Sequence, residues 1–340
     1  MTRKKSSSTI RDVARLAGVS VATVSRYINQ TATIADETGR RVQGAMDTLS
    51  FTPHPIARNL ATQRTNTIGL LLSDIGGQFY TPLLRGIEAV SSEAGYDLLI
   101  HSTRTSHAAK VPRRALNEHN TDGLLIFTDA LDNTELARLN QIGFPLVLMH
   151  QSPPDYLNIP FVTIENRYGT QQAVEHLIAV HGRSRIAFLR GPEDNEDSEE
   201  REQGYLQALK AHGLPLDPTL VVRGEFEAAQ AYAAVKQLIS QGAMFDAVYT
   251  GDDDSAIGVV QALQEAGLRV PEDVAIAGFD DSLFARILTP PLTTVRAPIE
   301  QVGREAARQL VRLIRGEPAD ARTILPTEII IRQSCGCNSK

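Results

Sequence analysis

The sequence predicts an α/β protein: an all-α helix-turn-helix head followed by two doubly wound lobes. Three observations predict it. Residues 1–66 carry only short helical patterns, broken at Gly18 and again by Pro53 and Pro55. From Ile68 onward, short apolar runs alternate with longer amphipathic runs, as in parallel strands joined by covering helices. That alternation occurs in two successive sets, which implies two lobes and a cleft outside the carboxyl ends of their strands.

In the head, Thr9 is placed to cap a helix from Ile10 to Ala17, with Val13 and Leu16 as its apolar stripe. Gly18 and Val19 break it. Ser20 then caps a second helix from Val21 to Ile28, followed by Asn29. Ile34, Val42, Met46 and Leu49 have the spacing of a third helix, and Asp36 and Glu37 suit the positive end of its dipole. Ile56 to Thr62 is a short segment before a polar linker from Gln63 to Thr67.

In the first set, strands are expected at Ile68–Leu72, Leu98–Ile100, Gly123–Phe127 and Leu146–Met149, with helices at Phe79–Ala94, Ala108–His119 and Asn133–Ile142. In the second, strands are expected at Ile186–Leu189, Ala247–Thr250 and Val274–Ala277. Its helices are expected at Ser198–His212, Glu227–Ser240 and Ser255–Ala266.

The 340 residues are too many for one compact core. Hydrophobic residues at 42% and charged residues at 22% are ordinary for a soluble globular chain. No apolar run approaches the roughly 18 residues of a membrane helix, and no apolar segment follows the basic, serine-rich start. The two cysteines, Cys335 and Cys337, cannot build a disulfide framework, so a reducing cytoplasm is expected. Residues 1–66 hold ten Arg or Lys against four Asp or Glu, a charge of +6, which leaves −12 for the rest of a chain of net charge −6. A basic head on an acidic body suits a polyanionic partner.

The head has the features of a DNA reader. Ala14, Ala17 and Gly18 are small, as two tightly angled helices require. Val13, Leu16, Val19 and Val24 are the expected small core. The second helix then exposes Val21, Ala22 and Arg26 to base edges. Arg26 can contact guanine with two hydrogen bonds, and Val21 can touch a thymine methyl. Thr23, Ser25 and Asn29 suit phosphates, which fix register rather than sequence, and Thr9 and Ser20 are further expected DNA-binding residues.

The run Thr9-Ile10-Arg11-Asp12-Val13-Ala14, then Ala17-Gly18-Val19-Ser20-Val21-Ala22-Thr23-Val24-Ser25-Arg26 and Asn29, closely resembles the LacI/GalR family of bacterial repressors. The resemblance covers nearly the whole chain. It implies a helix-turn-helix domain at 1–50, a hinge helix and linker at 51–66, and an effector-binding and dimerisation domain at 67–340. The last is periplasmic-binding-protein-like, with an N-lobe of 67–166 and 297–325 and a C-lobe of 167–296 and 326–340. Pro53 and then Ala57-Arg58-Asn59-Leu60 resemble the family's hinge helix, which pairs with its twin in the minor groove and wedges a leucine into the central step. Leu60 would be the wedge. Ala57 would allow close approach, and Arg58 and Asn59 would reach backbone or bases. Family members often carry larger or polar residues where this chain has Val21 and Ala22.

In the body, the resemblance implies ligand contacts by Phe79, Tyr80, Glu165, Asp197, Arg201, Phe226, Asp252 and Asp280. Where the family usually shows Asn-Pro before the aromatic pair, this chain has Gly77-Gln78. Where it usually shows Asp-Asn, this chain has Glu165-Asn166. Arginine suits paired hydroxyls, and the carboxylates accept hydrogen bonds from sugar hydroxyls or base amines. The same residues have ordinary structural uses: Asp252 and Asp280 as helix caps, Phe79, Tyr80 and Phe226 as core, Arg201 as a surface cation.

The expected function is a DNA-binding transcriptional repressor, a homodimer on a pseudo-palindromic operator, controlled by a small effector, with a sugar first and a purine-like corepressor second. A cytoplasmic solute-binding protein is the competing class. Enzyme motifs are missing: there is no G-x-S-x-G, Walker A or G-x-G-x-x-G. No cofactor or metal is expected. His176 and His181 are five apart with no cysteine near them in sequence, and Cys335-Gly336-Cys337 reads as a reduced tail. No leucine heptad follows Ser334, which favours a dimer over a tetramer.

Overall fold

The computed structural model describes residues 8–29, 33–51, 64–73, 76–103 and 116–338, and the chain separates into two compact units, 1–65 and 66–340. The expected hinge residues Ala57, Arg58, Asn59 and Leu60 lie outside the described residues, as does most of the expected helix at Ala108–His119; its last residues, 116–119, are bend and turn.

The first unit is α1 (Ile10–Ala17), α2 (Val21–Asn29) and α3 (Asp36–Thr48). Thr9 opens α1 with a capping box: its hydroxyl accepts from the Asp12 amide, and Asp12 accepts from the Thr9 amide at 3.0 Å. Gly18 closes α1 with φ +63°, and a β-carbon there would also fall 2.7 Å from the Arg41 guanidinium, which donates to the Ala17 and Gly18 carbonyls. Val13, Ala14, Ala17, Val24, Val42 and Ala45 form the core, with Val19 packed against it. Leu16, expected inside, is 53% exposed. The buried stripe of α1 follows residues 13, 14 and 17, and Leu16 lies off that face.

The second unit is built on two sheets. The first contains β1 (Thr67–Leu72), β2 (Asp97–Ser102), β3 (Gly123–Phe127), β4 (Leu146–Met149), β5 (Phe161–Ile164) and β11 (Arg322–Leu325), in the order β11-β5-β4-β3-β1-β2, all parallel. Helices α4 (Tyr80–Glu93), α5 (Asn133–Gln141) and α11 (Ile299–Ile314) go with it.

The second sheet contains β6 (Ile186–Arg190), β7 (Val221–Arg223), β8 (Ala247–Thr250), β9 (Ala275–Asp280), β10 (Thr293–Arg296) and β12 (Glu328–Ile330). Its order is β12-β10-β9-β8-β6-β7, parallel except for β12. Helices α6 (Asn166–Ala179), α7 (Glu196–Ala211), α8 (Ala228–Ser240), α9 (Asp253–Glu265) and the short α10 (Leu283–Ile287) accompany it. Strands β3, β4 and β8 are buried along their whole length, as continuous apolar runs covered on both faces should be.

The chain passes between the sheets at 165–166, 297–298 and 326–327. The first and third passages are tied together: the Glu165 amide donates to Leu325, and the Thr327 hydroxyl donates to the Glu165 carbonyl at 3.1 Å. Among the described residues no helix is long and apolar enough to cross a membrane.

Both cysteines are free, but the fold brings the histidines the cysteine neighbour that the sequence did not: Cys335 is fully buried, and Cys337 lies 3.6 Å from His176 and 3.3 Å from His181. The reason is topological. β12 returns antiparallel to β10 beside α6, which lays residues 333–337 over the end of the helix that carries His176.

Candidate functional site

Two sites follow from the two units. In the first unit, α2 buries Val24 and turns Val21, Ala22 and Arg26 outward, so the exposed face is made of the residues expected to meet base edges. Ser20 caps the helix by accepting from the Thr23 amide at 3.0 Å, and its hydroxyl meets that of Thr23 at 2.8 Å. Asn29 donates to the Ser25 hydroxyl at 3.3 Å. Thr9 remains exposed while its hydroxyl serves the α1 cap. Ser20 and Thr9 thus have both a capping role and an accessible position at a helix start, where amides point outward.

In the second unit, a cavity of about 580 Å³ opens outside the carboxyl ends of both sheets' strands. It gathers seven of the eight residues expected to touch an effector: Phe79, Tyr80, Asp197, Arg201, Phe226, Asp252 and Asp280. Glu165 is the exception. It precedes α6 at the crossover, is half-buried, and does not line the cavity. Its neighbour Asn166 supplies the side chain that matters.

Arg201 is the centre of the arrangement. It is buried on α7, donates from Nε to Asn166 Oδ1 at 2.8 Å, and donates from Nη1 to the Gly251 carbonyl. Its guanidinium lies 3.8 Å from the centre of the Phe279 ring and 5.4 Å from that of Phe226. Asp197, one turn earlier, accepts from His150 Nδ1 at 2.7 Å and from Asn166 Nδ2 at 2.7 Å, with Arg201 at 3.8 Å. Burial alone would raise the Asp197 pKa, but His150, Arg201 and Asn166 together hold it below the ordinary carboxylate value. The surface expectation for Arg201 is therefore excluded by its 3% exposure.

The other carboxylates are less well served. Asp252 caps α9 by accepting from the Ser255 amide at 3.1 Å, and burial pushes its pKa up to about 6. Asp280, at φ +114°, has a buried Oδ1 that accepts no hydrogen bond from any described residue, with Arg201 Nη2 at 3.9 Å. Burial and the neighbouring Asp252, Asp253 and Asp254 raise the Asp280 pKa well above normal, against the pull of Arg201. Such strained, unpartnered groups mark a site awaiting donors.

Opposite them stands an aromatic wall. Phe79 meets Tyr80, Phe127 and His150 edge-on, with ring centres 5.4 to 5.6 Å apart. Phe226 closes the cavity from the second sheet's side, at φ +56°. A β-carbon at Gly191 would lie 2.2 Å from its ring, so the absence of a side chain at Gly191 is what leaves room for it.

A neighbouring cavity of about 650 Å³ shares Phe79 and Asp280 but lies against Arg85, Arg296 and Arg304. Asp280 borders both, but Tyr80, Asp197, Arg201, Phe226 and Asp252 line the smaller one alone. Sequence reasoning missed His150, Asn166, Phe127 and Asp254. A usable signal existed: His150 comes directly after β4, Asn166 two residues after the end of β5, and Phe127 ends β3, at the strand ends where crevices form.

The two units also match known proteins. Residues 9–54 match the family model "Bacterial regulatory proteins, lacI family", and residues 174–335 match a periplasmic binding protein-like domain. The transcriptional regulator RegA of Clostridium saccharobutylicum is 34% identical over 330 residues, covering 96% of this chain and 99% of RegA. A structure of the regulator CelR in complex with cellobiose is 32% identical with a TM-score of 0.70, covering 96% of this chain and 99% of that one. A structure of the lac repressor dimer bound to operator and an anti-inducer is 25% identical with a TM-score of 0.82, covering 97% and 99%.

Proposed function

The chain belongs to the LacI family of bacterial regulatory proteins and is a sequence-specific DNA-binding transcriptional regulator; we propose that it is a dimeric repressor whose operator affinity is set by a neutral sugar in the cavity. The carrying observation is the pair Asp252 and Asp280, desolvated beside Arg201 and facing an aromatic wall, with an Asp280 oxygen that accepts no hydrogen bond from any described residue. Sugar hydroxyls donate to carboxylates while the C–H face of the ring lies on an aromatic side chain. Among the described residues, an anionic ligand would meet Asp197, Asp252, Asp254, Asp280, Glu225 and Glu227, with Arg201 as the one cation in the lining to offset them. That argues for a neutral polyol over a sugar acid or phosphate. The cellobiose bound by CelR supports the same class.

The site grips and does not catalyse, in this reading. His150 and Asp197 resemble an acid–base pair, but His150 is fully buried and does not line the cavity. It positions Asp197. The protein acts in the cytoplasm, where its operator is. On DNA, two α2 helices enter successive major grooves, and the segment with Ala57, Arg58, Asn59 and Leu60 supplies the minor-groove wedge. Effector binding needs to favour one lobe arrangement by only about 1–3 kcal/mol to retune occupancy.

The test is operator selection from random palindromes followed by anisotropy titrations at fixed salt. Arg26→Ala relaxes preference at one base pair per half-site, worth about 1–3 kcal/mol. Uniform weakening at every sequence would reduce Arg26 to a phosphate contact. Leu60→Ala weakens the selected operator and spares nonspecific DNA; equal loss on both would remove Leu60 as the wedge.

A further inference from the structure

We propose that His176, His181, Cys335 and Cys337 form a closed, four-coordinate zinc site at the end of α6 remote from the effector cavity. One ligand atom from each of the four lies within 4.8 Å of the others. His176 Nε2 and His181 Nε2 are 3.3 Å apart, and Cys337 Sγ is 3.6 and 3.3 Å from them. Tetrahedral zinc, with Zn–N of about 2.0–2.1 Å and Zn–S of about 2.3 Å, requires N···N edges of about 3.3–3.4 Å and N···S edges of about 3.5–3.6 Å. The His176–His181 and His176–Cys337 spacings already match these edges, and His181–Cys337 is about 0.2 Å shorter, so one small side-chain adjustment completes the three-donor face.

The chemistry of the donors agrees. His176 and His181 are half-buried imidazoles, the nitrogen donors such a site needs. Cys335 is buried, and Thr293 Oγ1 donates to its sulfur at 3.1 Å, an outer-shell bond that fixes where the sulfur sits. Gly336 turns the two sulfurs to one side at φ +109°, and a β-carbon there would fall 3.1 Å from His181 Nδ1. Two sulfurs and two imidazoles suit zinc rather than magnesium or calcium. Four protein donors leave no position for substrate, so the site is structural. Binding displaces the thiol protons to solvent. The ion would pin the C-terminal turn to α6, whose first residue, Asn166, orients Arg201 and Asp197.

The test uses the full chain, reduced and stripped of metal by chelator, then titrated with cobalt(II) and zinc(II). One equivalent of cobalt per chain should give the visible bands of a tetrahedral thiolate–imidazole site, and zinc should abolish them. Zinc should also raise the melting temperature and shield both thiols from alkylation. Cys337→Ser and His176→Ala should weaken zinc binding by more than the roughly 10–100-fold that loss of an outer-shell partner costs. Absence of the cobalt bands, or bands unchanged in both variants, overturns the site. Should a variant fail to fold, wild-type alkylation decides: thiols that zinc does not shield contradict the proposal.

Discussion

The sheet of β1–β5 lends the cavity Phe79, Tyr80 and Phe127, while the sheet of β6–β10 lends it Asp197, Arg201, Asp252 and Asp280. Both sheets place these residues at or just beyond the carboxyl ends of their strands, so topology alone does not separate them. Energetics does. The aromatic wall stabilises itself, because each ring buries apolar area and meets its neighbours edge-on. The charged wall is costly to hold without ligand, because Asp252 and Asp280 are both desolvated and Asp280 Oδ1 accepts no hydrogen bond from any described residue. One wall therefore belongs to folding as much as to binding, and the other is maintained for binding.

The contrast is broken hardest at Arg201. Arg201→Ala leaves Asp197 and Asp280 buried without their shared cation. Loss of one partner of a buried charged pair costs about 3–5 kcal/mol, and sugar binding is lost with it. Arg201→Lys cannot serve Asn166 and the Gly251 carbonyl together and should also fail to bind. Thermal melts and calorimetry check both. Near-wild-type melting of Arg201→Ala would place the cost of the charged wall elsewhere.

A gain of stability is expected next. Asp252→Asn keeps the cap on α9, since asparagine caps as well as aspartate, and removes a buried charge. The Asp252 pKa is raised to about 6, so the charge costs the folded state nothing below about pH 4 and its full amount above about pH 6. The variant should therefore exceed wild type by on the order of 2–3 kcal/mol at pH 8, a gap that closes as pH falls through 6 to 4. Sugar affinity should fall over the whole range. A pH-independent gap would mean that the aspartate is not desolvated.

The smallest effect belongs to the aromatic wall. Phe79→Leu keeps apolar burial and loses the ring. Stability should move little, and sugar affinity should drop by about 0.5–1.5 kcal/mol. An effect as large as that of Arg201→Ala would erase the distinction between the walls.

How much was legible in the sequence follows the range of the interactions. The head was readable because Thr9, Gly18 and Ser20 act on residues three or four away, so α1 runs from Ile10 to Ala17 as expected. Leu16 went astray because one position on a helix turns a side chain by about 100°. In the body the buried strand cores were legible from continuous apolar runs. The edge strands β7, β11 and β12 were not, being short and partly exposed, and neither were the interior strands β5 and β10, each of four residues with threonine among them and no long apolar run. The cavity joins Phe79 to Asp280 through two sheets, and no local spacing encodes that; only the resemblance pointed to it. Cys337 and His181 are 156 positions apart, so their meeting required the fold.

The central claim is that a neutral, hydroxyl-rich ligand satisfies the charged wall and thereby controls DNA binding. A thermal-shift panel of neutral sugars, nucleobases, uronic acids and sugar phosphates tests it most directly, because a ligand that binds only the folded state raises its melting temperature. The account predicts that a neutral sugar raises it, that the same sugar changes operator affinity, and that Arg201→Ala abolishes both responses. Stabilisation by an anionic sugar or a nucleobase in place of any neutral sugar, or by a neutral sugar that leaves operator affinity unchanged, would contradict it.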